Sequence, residues 1–262
     1  MSVSLSPSLE FVLVTRLRAA GCVFAEDEAR LIVSAARTSD ELASMLDRRV
    51  AGVPLEHVLG WAEFCGLRIE VDPQVFVPRR RTAFLVEQAA ALAPTTAVVV
   101  DLCCGSGAVG AALADTLDRI ELYAVDIDPA AVRCARRNVP EPGRVLKGDL
   151  YAPLPTSLKG RVDILVANAP YVPTEAIRLM PPEARLHEPR VSLDGGTDGL
   201  EIQRRVTTAA RSWLAPGGHL LIETSERQAP QTAEAFADAG LTTWVESSDE
   251  VGATVVVGTA PR

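Results

Sequence analysis

Val162-Asp-Ile-Leu-Val-Ala-Asn-Ala-Pro-Tyr171 begins as an apolar run, interrupted only by Asp163, and ends in four residues of different chemistry. Valine, isoleucine and leucine with little polar alternation suit a strand covered on both faces, as in a parallel sheet between helices. Pro170 has no N–H and cannot extend a central ladder, so the strand is predicted to stop there. Its end then presents the Asn168 side chain, the main-chain carbonyl of Ala169 and the Tyr171 ring. Two acceptors beside a flat face suit a planar group bearing an NH2, because each N–H finds an oxygen and the plane finds a ring. The same residues also suit a plain turn with Tyr171 in the core, and this stretch alone does not separate the two readings.

Earlier in the chain, Ala97-Val-Val-Val-Asp-Leu reads as a second buried strand. It runs into Cys103-Cys-Gly-Ser-Gly-Ala-Val-Gly110 and then an alanine-rich helix to Leu117. Glycines between a strand and a helix let main chain approach a ligand and aim N–H groups at it. Gly105-x-Gly107-x-x-Gly110 has the spacing of a dinucleotide turn, which is a weak signal alone. Asp101 beside it would repel a pyrophosphate. A carboxylate there suits a cationic ligand such as S-adenosylmethionine (SAM), with its ammonium and sulfonium.

The next strand, Ile120-Glu-Leu-Tyr-Ala-Val125, ends in Asp126, about twenty residues past the glycine turn, where an acid binds ribose hydroxyls. Asp128 and Pro129 read as the cap and first residue of a helix to Asn138. Val145 to Asp149 is a third short strand ending in an acid; Asp149 suits the exocyclic amine of adenine or is an ordinary loop acid. Four successive strands thus carry polar groups at their C-terminal ends: Asp101, Asp126, Asp149 and Asn168. That is the edge at which open α/β sheets bind ligands.

Around this centre, Pro7 to Arg49 shows apolar residues at helical spacing, enough for about three short helices, with a helix start at Thr38-Ser-Asp-Glu41. These helices read as a structural cap or a platform for a protein substrate. Glu63 to Asp72 alternates about Gly66 and reads as a hairpin. Arg79, Arg80 and Arg81 precede a helix over Ala83 to Leu92; such a run forms a solvated face or an anion or substrate contact. After Tyr171, Pro173 to Asp198 is predicted to be a long loop, either a functional lid or disordered. His187 within it has no visible partner and reads as a packing or substrate contact, not as a base. A helix over Leu200 to Leu214, a turn at Pro216-Gly-Gly218, a strand His219 to Glu223, a helix Gln228 to Ala239 and two closing strands, Thr242 to Glu246 and Ala253 to Val257, complete the chain.

The chain has 262 residues, 48% of them hydrophobic, and a formal net charge of −8. That size allows one large domain plus a small one. An acidic chain argues against nonspecific nucleic-acid binding, which needs a basic surface, and Arg133, Arg136, Arg137, Arg144 and Lys147 read as an exposed helix face. No apolar run is long enough to span a bilayer and the N-terminus lacks a secretion-signal pattern, so a cytoplasmic protein is expected. Five scattered cysteines, Cys22, Cys65, Cys103, Cys104 and Cys134, read as buried free thiols in a reducing compartment, and no metal site is expected.

These motifs, in this order, resemble the class I SAM-dependent methyltransferases and, more narrowly, the protein-(glutamine-N5) methyltransferases acting on peptide-chain release factors. The resemblance rests on Pro54 to Gly60, Val77-Pro-Arg79, Asp101 to Gly107, Asn168 to Tyr171, His187-Glu-Pro189, Gly195-Gly-Thr-Asp-Gly199 and Pro216-Gly-Gly218, and covers nearly the whole chain. It implies a doubly wound, mostly parallel seven-stranded α/β sheet in residues 78–262. It also implies a hairpin connector over 61–77 and an N-terminal helical domain over 1–60 for substrate recognition. The implied SAM site is Asp101, Cys103, Gly105, Gly107, Asp126, Ile127, Gly148, Asp149, Leu150 and Asn168. The implied catalytic and acceptor residues are Asn168, Ala169, Pro170 and Tyr171, with Glu188 also on the substrate. The implied partner is a glutamine-bearing protein such as a release factor. Two segments depart from the family pattern: Ala169 stands for the first proline of Asn-Pro-Pro-Tyr, and Arg80-Arg-Thr-Ala83 stands for Pro-Glu-Thr-Glu. The exchange of a carboxylate for Arg81 bears on which acceptor is used.

Overall fold

The computed structural model describes residues 7–262; residues 1–6, part of the N-terminus read above for a secretion signal, lie outside it. The chain opens with helices α1 (Pro7–Ala19), α2 (Ala25–Ala35), α3 (Ser39–Val50) and the short α4 (Leu55–Leu59). Leu13, Leu17, Ile32 and Leu46 meet in a core of their own. As the Thr38 signal predicts, its side chain accepts from the Glu41 N–H at 3.1 Å and caps α3.

The predicted hairpin forms as β1 (Trp61–Phe64) and β2 (Leu67–Glu70), antiparallel about Gly66. It does more than connect: Phe64 and Ile69 enter the main core, and Asn138 bonds both main-chain groups of Glu70 at 2.8 Å. Cys65, expected to be buried, sits exposed at this turn with φ +51°; all five cysteines are free thiols.

The rest alternates strands and helices: α5 (Ala83–Leu92), β3 (Ala97–Leu102), α6 (Ala108–Thr116), β4 (Ile120–Asp126), α7 (Pro129–Asn138), β5 (Arg144–Lys147), β6 (Val162–Ala167), α8 (Pro182–His187), α9 (Glu201–Ala210), β7 (Leu214–Thr224), α10 (Ala229–Asp238), β8 (Thr242–Ser248) and β9 (Ala253–Thr259). The seven strands from β3 onward form one sheet in the order β5-β4-β3-β6-β7-β9-β8. All neighbours pair in parallel except β7 with β9 and β9 with β8. Side chains of α5, α6 and α7 pack on one face and those of α9 and α10 on the other. Both faces are therefore covered, which is why β3 and β6 lack polar alternation. Asp163, the one break in the β6 run, accepts the Val98 N–H at 2.8 Å and ties β6 to the start of β3.

The chain winds outward from β3 to β5 and then returns to lay β6 against the other side of β3. The strand order reverses there, so the C-terminal ends of β3 and β6 flank a crevice. Asp101 pairs with Val166, which places Asn168 within two residues of it across the sheet.

Three sequence expectations fail in this half. The helix predicted to Leu214 ends at Ala210, and Leu214 instead opens β7. Pro216-Gly-Gly218 lies inside that strand: β7 advances from Leu214 to His219 while β6 advances only from Val162 to Ile164, so a bulge absorbs the residues read as a turn. The segment predicted to be a long loop contains 3₁₀ turns at Thr174–Leu179 and Arg190–Ser192 around α8. Each is too short to show a helical period in sequence.

Candidate active site at the strand ends

The glycine turn after β3 is held by its neighbours. The Cys104 N–H donates to the Val125 carbonyl at 3.0 Å, and the Gly107 N–H to the Cys104 carbonyl at 2.7 Å. Gly107 caps α6 at φ +78°, and a Cβ there would press on Ala135 at 3.0 Å, so this glycine allows α6 to lie close to α7.

The acids are built into this turn. Asp101, 1% exposed, accepts the Gly110 N–H at 3.0 Å. Asp126 accepts the N–H groups of Gly105 and Asp128, each at 2.8 Å. A carboxylate offers about four lone-pair sites, so acceptor capacity remains on Asp126 for ligand hydroxyls. Burial pushes Asp101 up to about 7, against a retained N–H bond and with the Asp126 charge adding to the rise. Burial likewise raises Asp126.

Thr82, 2% exposed, accepts from the Asn168 amide nitrogen at 3.3 Å. With its NH2 end held, the carbonyl oxygen of Asn168 is the end left for a ligand. Ala169 is 1% exposed, so the proline-to-alanine exchange keeps a buried main chain here. The Gln228 amide nitrogen donates to the Tyr171 carbonyl at 3.0 Å and the Asp198 carbonyl at 3.1 Å. Gly199, at φ +81°, lies so close that a Cβ would collide with the Tyr171 carbonyl. The Gly-Gly-x-Asp-Gly motif is thus a clamp on the Asn168–Tyr171 turn.

Of the three arginines, Arg79 and Arg81 line the cavity and are engaged by carboxylates. Arg79 donates to both oxygens of Glu188, at 2.7 and 2.6 Å, and stands 4.8 Å from the Phe76 ring centroid. Glu188 also accepts the Val77 N–H at 3.2 Å. Arg81 donates from Nε to Glu223 Oε1 at 3.2 Å and from Nη2 to the Tyr171 hydroxyl. Glu223, at the end of β7, is 2% exposed, and its Oε2 has no hydrogen-bond partner among the described residues.

A cavity of about 480 Å3 opens along these strand ends. Asp101, Cys103, Gly105, Asp126, Ile127, Gly148, Asp149, Leu150, Asn168, Ala169, Pro170, Tyr171 and Glu188 all line it, as do Arg79, Arg81 and Thr82. Of the sequence-predicted residues, Gly107 is outside the lining and acts in helix packing. His187 ends α8 and is also outside it. Asp149 is engaged by Arg205 at 2.6 Å, a residue the sequence did not single out.

The residues fit SAM. Buried carboxylates at the glycine turn suit a cationic amino-acid end, Asp126 keeps acceptor capacity for ribose hydroxyls, and Ile127 and Leu150 offer apolar walls for a base. The raised Asp101 gives a testable consequence. Below about pH 7 the free protein carries Asp101 neutral, and a cationic ligand favours its ionised form. SAM affinity is therefore expected to fall as pH drops through that value, by up to about tenfold per unit. The folded carboxyl lies above its ordinary 3.8, so folding takes up a proton between the two values and the ligand-free protein loses stability as pH rises through that window. Calorimetric titration across this range checks the first statement; an affinity that stays flat refutes it.

The methyltransferase small domain family matches residues 68–186. A release factor glutamine methyltransferase of Geobacter sulfurreducens is 38% identical over 225 residues, which cover 84% of this chain and 78% of that protein. A 4-amino-L-phenylalanine/4-methylamino-L-phenylalanine methyltransferase of Streptomyces pristinaespiralis is 35% identical over 201 residues, 74% of this chain and 65% of that protein. Among solved structures, a methyltransferase from Pyrococcus furiosus superposes with a TM-score of 0.56 at 17% identity, covering 86% of this chain and all of the other, a likeness of fold alone. The strand order and this likeness define a class I SAM-dependent methyltransferase fold, and SAM is the methyl donor that fold and family imply. The chain belongs to the release factor glutamine methyltransferase family.

Proposed function

We propose that this protein methylates the side-chain nitrogen N5 of a glutamine in a peptide-chain release factor, with SAM as donor. The observation that carries the reading is the end of β6. Asn168, anchored through its NH2 by Thr82, and the adjoining Ala169 carbonyl line one cavity with the buried acids of the glycine turn.

When bound, SAM supplies a methyl group already activated on a sulfonium, so the difficulty lies with the acceptor. An amide nitrogen shares its lone pair with its carbonyl and is a poor nucleophile. The Asn168 side-chain oxygen and the Ala169 carbonyl each accept one of its N–H groups and fix its orientation. Pro170 shapes that turn, and Tyr171 packs against the amide plane. Positive charge grows on the nitrogen during attack, so both hydrogen bonds strengthen toward the transition state and lower the barrier. The nitrogen becomes strongly acidic once alkylated and loses a proton readily, so no strong base is required. Asp101, Cys103, Gly105, Asp126, Ile127, Gly148, Asp149 and Leu150 hold the donor. Glu188 fixes Arg79 at the acceptor end of the cavity. A release-factor substrate places the protein in the cytoplasm, and residues 1–60 serve in its recognition.

A second reading, N-methylation of a small amine, is favoured by the relative named for an amino-phenylalanine substrate. Adenine in nucleic acid poses the same geometric problem, but the basic residues lining the cavity are engaged by carboxylates: Arg79 by Glu188 at 2.6 Å, Arg81 by Glu223 at 3.2 Å and Arg205 by Asp149 at 2.6 Å. Transfer of labelled methyl from SAM to release factor, Gly-Gly-Gln peptide, aryl amines and DNA separates these readings. Label on release factor and peptide is expected; label on amines alone would transfer the assignment to the second reading.

A further inference from the structure

A second cavity, of about 540 Å3, lies beside the end of β7 and the turn between β8 and β9. Arg81 and Tyr171 line both cavities and form the partition between them. The partition is a built one. Arg81 is fixed by Glu223 and by the Tyr171 hydroxyl, and the Tyr171 carbonyl by Gln228. Ser225, whose hydroxyl donates to Gln228 Oε1 at 2.6 Å, keeps its lone pairs for an incoming donor.

The remaining walls mix hydrogen-bond characters. Ser247 donates and accepts, Glu226 and Asp249 accept, and the Arg81 guanidinium donates. Two carboxylates disfavour a phosphate, and Ala229, Pro230, Val245 and Ala253 leave apolar wall beside the polar groups for the side chains of a peptide. Donors and acceptors present together match peptide main chain, in which each residue offers one N–H and one C=O. A glutamine that reaches Asn168 from within a loop has chain leaving its Cα in two directions. The first cavity, bordered by Pro54 and Met180, has room at its mouth for one of them.

We infer that the second cavity binds the main chain on one side of the methyl-acceptor glutamine, with Arg81 donating to its carbonyls. This rests on the glutamine reading above and adds the subsite that recognises the acceptor as a peptide. It makes Arg81 a specificity-determining residue that favours an extended chain over a free amine.

The test compares three peptides: one ending in an amidated glutamine, and two extended by about four residues, roughly 13 Å, on either side. With the wild-type enzyme, one extension is expected to lower KM about tenfold through two or so added hydrogen bonds. Ser247→Trp, at an exposed position near the end of β8, fills the cavity and is expected to abolish that advantage, bringing the two KM values together at similar kcat. SAM binding by the variant confirms that it is folded. Equal KM for all three peptides with the wild type, or an advantage that survives Ser247→Trp, would overturn the inference alone. A wild-type enzyme that binds SAM and methylates none of the peptides would overturn the glutamine reading, and this subsite with it.

Discussion

Asn168→Ala is expected to lower kcat for the acceptor by about a thousandfold while SAM affinity stays within a few-fold, the scale seen when one preorganised charge-stabilising group is removed. The substitution deletes one of two acceptors for the reacting NH2. Its effect concentrates on kcat because those bonds strengthen as charge develops on nitrogen. Stability should fall modestly, by about 1–3 kcal/mol, because the 3.3 Å bond from Asn168 is lost and the buried Thr82 hydroxyl is left without that partner. Rapid-quench measurement of methyl transfer, paired with calorimetric SAM binding, makes the separation visible. A variant with near-normal turnover would remove Asn168 from the chemistry.

Asp126→Ala is expected to act on the other substrate, weakening SAM binding by about a hundredfold or more. Hydrogen bonds from two ribose hydroxyls to a carboxylate are each worth about 1.5–3 kcal/mol. The same change leaves the Gly105 and Asp128 N–H groups without their acceptor and loosens the glycine turn. Melting temperature should therefore also fall, by a few degrees. At saturating SAM the residual kcat should stay well above that of Asn168→Ala, because the acceptor grip is intact. Unchanged SAM affinity in this variant would mean that the ribose lies elsewhere.

The strand ends were legible in the sequence because their signals are local. A buried β-strand, an acid at its end and a glycine or proline after it lie within a few residues, so Asp101, Asp126, Asp149 and Asn168 all reach one cavity as expected. The seven-stranded, mostly parallel sheet follows the family resemblance. The contacts that orient those groups were not legible, because they join residues far apart in the chain. Thr82 and Asn168 are 86 positions apart, Arg81 and Glu223 are 142 apart, and nothing near any of them marks the partner. Gln228 read only as a helix start, yet it clamps the Tyr171 turn from 57 positions away. The β7 boundary misled for a different reason. Pro216-Gly-Gly218 carries turn chemistry, and only the pairing with β6 shows that a bulge absorbs it.

The most direct test is the structure of a ternary complex with a glutamine peptide and a non-transferable SAM analogue. The account predicts the acceptor nitrogen within about 3 Å of both the Asn168 side-chain oxygen and the Ala169 carbonyl, with the sulfur of the analogue on the lone-pair side of that nitrogen. An acceptor amide bound away from these two oxygens, or an analogue seated outside the cavity lined by Asp101 and Asp126, would contradict it.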